Sequence, residues 1–188
     1  MLNIVILGHS FIRRLRDRVV DDPSCRNLKL SPENFNLLFR AQGGLTVNKL
    51  FKRADLLSFH HPDIVYLQIG GNDLCTSSPA DVVNRILDLV EKLITKNKAC
   101  HIIIGQLFWR NSVATDNYNE KVIRTNLLLA KGTESSSYIT FWKHRAGFWK
   151  TDLSFLCRDG VHLNQQAQLK YLQSVKAAIL TVSKRMDN

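Results

Sequence analysis

Residues 2–15, LNIVILGHSFIRRL, decide the fold. The first seven, LNIVILG, are almost continuously apolar, rich in β-branched side chains and closed by glycine, which is how a strand buried on both faces reads. A helix follows at once. Phe11, Leu15 and Val19 fall at i, i+4 and i+8 on one face, and Arg13, Arg14, Arg16 and Arg18 cover the remainder. Ser10 stands at the hinge between them. A serine there can cap the helix, or it can hold its oxygen outward for chemistry, and one residue does not decide between the two.

The pattern repeats along the chain. Residues 21–34 read as loop, with Asp21-Asp22-Pro23 and Ser31-Pro32 as breakers. Residues 35–41, FNLLFRA, predict a second strand. After Gly43-Gly44, Thr46 caps a helix expected to run to about Phe59. Residues 64–69 predict a third strand, closed by Gly70-Gly71-Asn72-Asp73. Ser78-Pro79 opens a helix with Val82, Ile86, Leu89 and Leu93 on one face. Residues 100–108 predict a fourth strand, Asp116 to Lys131 a helix, and Tyr138 to Trp142 a short fifth strand. An irregular, aromatic-rich stretch spans 143–163, and Asn164 caps a last helix to about Val182. Strands that alternate with helices imply an α/β fold with an open, mostly parallel five-stranded sheet covered on both faces.

The 188 residues suit one domain spanning 1–188. Apolar residues make up 45% and charged residues 22%, the proportions of a soluble globular protein. The longest apolar runs are too short to cross a bilayer, and no signal segment opens the chain. Cys25, Cys75, Cys100 and Cys157 form no CxxC pair and no zinc spacing, so they read as free thiols of a reducing compartment, cytoplasm or nucleus. His60-His61 reads as loop, not a metal site. The net charge of +10 attracts polyanions, either nucleic acid or an anionic membrane face.

Ligands of open α/β sheets bind at the carboxyl ends of the strands. This chain places Ser10, then Gly43-Gly44, then Gly71-Asn72-Asp73 at such ends, and Asp159-Gly160-Val161-His162 before the last helix. The set contains what acyl transfer needs. A serine hydroxyl requires a base, and imidazole titrates near neutrality, so His162 can serve. Asp159 can fix the ring's tautomer and stabilise the imidazolium. The amides of Ser10 and Gly44 and the side-chain NH2 of Asn72 can face the oxyanion.

Gly8-His9-Ser10, Gly44 in GGLT, Gly71-Asn72-Asp73 in GGND and Asp159 to Asn164 in DGVHLN resemble, in order and spacing, the four blocks of the SGNH (GDSL-type) hydrolase superfamily. The resemblance implies a three-layer α/β/α sandwich of flavodoxin-like topology and an esterase without metal or organic cofactor. It implies Ser10 as nucleophile, Asp159 and His162 as the rest of a triad, and Ser10, Gly44 and Asn72 as oxyanion donors. Gly44 is preferred to Gly43 because it stands two residues before Thr46. The family commonly has aspartate between the glycine and the serine; here His9 replaces it, so the hydrogen bonding of the turn must differ. GHSF-RRL, the segment from Phe141 to Trp149 and the DGVHLN ending further resemble the esterase-like domains of first-open-reading-frame proteins of animal LINE retrotransposons. That implies a domain of a longer protein, with RNA-binding and self-association regions outside it, working in a ribonucleoprotein particle.

Around this set, Trp109, Leu45 and Phe11 are expected to contact substrate. Asp73 is expected to be structural, capping its own loop, and His9 to be a packed turn residue. Phe148-Trp149 is expected either to pin the segment before Asp159 or, exposed beside Arg145 and Lys150, to stack bases or sit in a lipid interface. No insertion long enough to build a lid is evident, so the site should be open and suit a short acyl group, acetyl above all, or one reachable ester of a lipid.

Overall fold

In a computed structural model, described for residues 1–97, 100–111, 117–145 and 153–186, five parallel strands form one sheet. They are β1 (Leu2–Gly8), β2 (Phe35–Ala41), β3 (Ile64–Gln68), β4 (His101–Gly105) and β5 (Ile139–Trp142), in the order β2-β1-β3-β4-β5. The helices between and after them are α1 (Ser10–Asp21), α2 (Val47–Phe51), α3 (Pro79–Asn97), α4 (Tyr118–Thr133) and α5 (Gln165–Met186). The period of two along each strand sorts the side chains into two cores. Val5, Leu7, Val65, Leu67, Ile102 and Ile104 pack with α2, α3 and α4. Ile4, Ile6, Ile64, Tyr66 and Ile103 pack with α1 and α5. The result is the expected three-layer α/β/α sandwich. The central strands β3 and β4 are buried at every position, whereas the edge strands β2 and β5 are half-exposed.

Several boundaries differ from expectation, each for a local reason. The helix expected from Thr46 to Phe59 stops at Phe51. Beyond it the Arg53 guanidinium grips Asp55 and Gln42, closing a turn that drops Leu56, Leu57 and Phe59 into the core. The strand expected over 100–108 ends at Gly105, because Leu107 gives its N–H and C=O to the Asn126 side chain at 2.9 and 3.0 Å instead of to a neighbouring strand. The loop over 21–34 contains 3₁₀ turns within Pro23–Lys29, broken by a kink from Arg26 to Leu28, the first of them capped by the Asp22 carboxylate. Asp116, Phe148 and Trp149 lie outside the described residues. No helix among the described residues is long and apolar enough to cross a membrane.

The topology places the site. From β1 the chain steps outward to β2, then crosses back to β3 on the other side of β1. The loops after β1, β2 and β3 therefore meet at one carboxyl edge, where strand order reverses.

Candidate active site

The turn after β1 is dictated by contact with β3. A Cβ on Gly8 would lie 2.2 Å from the Gln68 carbonyl oxygen, and His9 N–H donates to that same oxygen at 3.2 Å. Only glycine tolerates so close an approach. The cap of α1 is supplied by His9, not by serine: its Nδ1 accepts from Phe11 N–H at 3.4 Å. Ser10 is thereby relieved of capping. Its Oγ lies 3.1 Å from Nε2 of His162, 152 residues away in the chain.

The segment that carries His162 is held by its own backbone. Cys157 N–H donates to His162 O at 2.7 Å. Gly160 turns at φ +66°, and a Cβ there would meet Asn111 O at 2.1 Å, while Asn111 N–H donates to Gly160 O at 2.7 Å. Asp159 Oδ1 accepts from the amides of Val161 and His162, both at 2.9 Å. Its Oδ2 lies 2.7 Å from His162 Nδ1. A carboxylate only accepts, so Nδ1 carries the ring proton and Nε2 faces Ser10 as an acceptor. Partial desolvation pushes the Asp159 carboxyl up, but the backbone and ring N–H of His162 and the Val161 amide outweigh it and hold it well below the usual carboxylate range. Arg14 of α1 adds a cation 3.8 Å from Oδ2. As the sequence reading expects, Asn164 caps α5, its Oδ1 accepting from Ala167 N–H at 2.9 Å.

Two further sequence-predicted residues follow β2 and β3. Gly44 turns at φ +70° in the exposed loop after β2. Asn72 follows β3; its Nδ2 donates to Leu45 O at 2.9 Å and its Oδ1 accepts from Arg110 Nη2 at 2.8 Å. Asp73 does not cap its own loop. Both its carboxylate oxygens accept from Val47 N–H at 3.1 Å, so it joins Thr46 in capping α2. The Asn72 and Asp73 bonds tie the loop that bears Gly44 to the turn after β3.

The family model described as GDSL-like Lipase/Acylhydrolase matches residues 8–169. The chain belongs to this family. Among solved structures it is similar to a carbohydrate esterase family 3 protein from Talaromyces cellulolyticus, with TM-score 0.73, 13% identity, and 98% of this chain and 99% of that one covered. It is similar to a member of the lipolytic G-D-S-L family from Veillonella parvula, with TM-score 0.72, 18% identity and coverage of 94% and 97%. It is also similar to a mutant of an acetyl-xylooligosaccharide esterase from Geobacillus Stearmophilus, with TM-score 0.72, 16% identity and coverage of 94% and 93%. At these identities the likeness is one of fold. No curated protein matches the chain.

In this GDSL-family chain two of the three side chains expected to touch substrate, Leu45 and Phe11, are buried. Leu45 is 2% exposed and packs in the core; only its carbonyl reaches the site, as the acceptor for Asn72. Phe11 is buried too, stacked on Phe108 at 5.0 Å and 6.1 Å from the His162 ring, which it supports from below. Trp109 is half-buried and packs against both cores. Leu45 and Phe11 both pack in the core. Arg110 gave no signal in the sequence, being one of 26 basic residues. Among the described residues, no group of three or more His, Cys, Asp or Glu side chains is placed to hold a metal.

His9, the departure from the family's usual aspartate, is buried. Burial, then the charges of Arg110 and His162, push its pKa down to about 3. Burial alone pushes His144 down to about 3 as well. That ring lies between Tyr66 OH at 3.4 Å and Ser174 Oγ at 2.8 Å. Both histidines are held neutral in the fold and protonate readily only in the unfolded chain. Their contribution is complete above the ordinary histidine pKa of about 6.5 and is lost as pH falls from there toward 3, at about 1.4 kcal/mol per pH unit for each ring. Urea unfolding at pH 7.5, 6, 5 and 4 should show the midpoint falling steadily below pH 6, and a His144→Gln variant should show a shallower decline. A midpoint constant from pH 7 to 4 would contradict neutral burial.

Proposed function

We propose that the chain is a serine esterase that hydrolyses carboxylic esters through an acyl-Ser10 intermediate. The observation that carries this reading is the unbroken line from Asp159 Oδ2 through His162 to Ser10 Oγ, at 2.7 and 3.1 Å. His162 Nε2 takes the proton as Ser10 Oγ attacks the ester carbonyl carbon. The Ser10 and Gly44 amides and the free N–H of Asn72 stabilise the oxyanion, each such donor being worth about 10²–10³ in rate. The intermediate collapses as protonated His162 gives its proton to the departing alkoxide. Water then attacks the acyl-enzyme with His162 as base, which releases the acid and restores Ser10. Asp159 keeps its charge throughout, stabilising the imidazolium.

We infer a short acyl group, acetyl first. The loop after β2 that carries Gly44 is exposed. Two of the similar structures are named as a carbohydrate esterase and an acetyl-xylooligosaccharide esterase. A panel of p-nitrophenyl esters from acetyl to palmitoyl should give the highest kcat/KM at acetyl or propionyl, falling at least tenfold by octanoyl. A maximum at palmitoyl would replace this reading with a lipid ester.

The rival reading, an RNA- or membrane-associating basic module of a retrotransposon particle with vestigial hydrolase activity, rests on the +10 charge and the LINE-like stretches. The arginines of α1 each lie beside a carboxylate. Arg13 and Arg16 meet Asp17, Arg18 meets Asp22, and Arg14 meets Asp159. The esterase reading needs no such partner.

A further inference from the structure

We propose that Arg110 is a positioning residue for the oxyanion donor Asn72, fixing which end of its carboxamide faces the reacting ester. The inference rests on the esterase reading and adds a group that none of the four sequence blocks contains.

A carboxamide has one acceptor end and one donor end of nearly equal shape, and only the donor end stabilises an oxyanion. Rotation by 180° would turn a donor into a repulsive acceptor. Two contacts set the choice. Arg110 Nη2 lies 2.8 Å from one terminal atom of Asn72, and guanidinium donates only, so that atom is the oxygen. The other terminal atom lies 2.9 Å from Leu45 O, which accepts only, so it is the nitrogen. One N–H goes to Leu45, and the second is left to the ester oxygen. The charge-assisted bond at Oδ1 also polarises the amide and strengthens its N–H groups as donors.

Arg110 is itself fixed, which a positioning residue must be. Its N–H donates to Asn119 Oδ1 and its C=O accepts from Asn119 Nδ2, both at 2.9 Å, anchoring the residue to α4. Its guanidinium lies 4.9 Å over the Tyr118 ring. The Tyr118 hydroxyl in turn donates to Gly71 O at 3.0 Å, just before Asn72. Among the described residues no carboxylate pairs with Arg110; its Nη2 donates to Asn72 Oδ1 at 2.8 Å, and its Nη1 reaches Cys75 Sγ at 3.8 Å.

The test is a double-mutant cycle on p-nitrophenyl acetate, with rates normalised to the fraction of protein labelled by a fluorophosphonate. Arg110→Met should lower kcat about 10–100-fold with KM within about threefold of wild type. Arg110→Lys, which keeps a cation within reach of Oδ1, should recover at least a third of the lost activity on a logarithmic scale. In an Asn72→Ala background, Arg110→Met should cost less than threefold, because its effect runs through the missing amide. A structural role alone would lower the labelled fraction and leave the normalised kcat unchanged. The proposal is overturned if Arg110→Met keeps kcat within threefold, or if the two substitutions multiply independently. Wild-type protein that neither labels nor turns over ester would instead end the esterase reading, and this inference with it.

Discussion

Ser10→Ala is expected to lower kcat on p-nitrophenyl acetate by about 10⁶-fold while leaving KM and the unfolding midpoint nearly unchanged. The magnitude follows from what the hydroxyl does. Without it no acyl-enzyme forms, and what remains is catalysis by the oxyanion donors and by binding, about 10³–10⁴ over water. The fold should tolerate the change because Ser10 is not the cap of α1. His9 accepts the Phe11 amide in its place, and the hydroxyl's partner is His162 Nε2 at 3.1 Å. Steady-state kinetics and urea unfolding on the same preparation check both halves. A loss below tenfold would mean that the hydrolysis does not pass through Ser10.

Asp159→Asn is the second large effect, and its direction can be worked out atom by atom. Oδ1 of Asp159 accepts two backbone amides at 2.9 Å. An asparagine at 159 must keep its oxygen there, because its NH2 would clash with both donors. The NH2 is then forced to the Oδ2 position, 2.7 Å from His162 Nδ1. A donor now faces Nδ1, so the ring proton moves to Nε2, and Ser10 meets a donor where it needs a base. The loop survives and the chemistry does not. A loss of about 10⁴ in kcat is expected, the size found when this tautomer is reversed in other serine hydrolases. Alanine at 159 should cost more stability, since the Val161 and His162 amides lose their acceptor. An asparagine variant with wild-type kcat would show that Asp159 does not set the tautomer.

Much of this could be read from the chain. β1 and β3 announce themselves because strands buried on both faces favour β-branched apolar side chains, and Gly8, which ends β1, is forced by contact with the Gln68 carbonyl. DGVHLN is legible for a related reason. Its aspartate, glycine and histidine serve one another within four residues, so local spacing encodes their geometry. Arg110 and Leu45 were not legible in their roles. One acts through a guanidinium that any of the 26 basic residues could supply, the other through a backbone carbonyl that any residue carries. That Phe11 and Leu45 pack in the core was not legible, because a place next to Ser10 or Gly44 in sequence says nothing about which way a side chain points. The next residue of a helix turns by about 100°, which takes Phe11 into the core. The overlong helix after Thr46 failed for want of a local signal, since the turn that ends it depends on Arg53 reaching back to Gln42.

The central claim is that Ser10 is an activated nucleophile, and covalent labelling tests it without knowledge of the substrate. Wild-type protein treated with a fluorophosphonate should gain the mass of one adduct. Peptide mapping should place it on Ser10, and Ser10→Ala should gain none. Folded wild-type protein that stays unlabelled, or an adduct that persists in Ser10→Ala, would contradict the account.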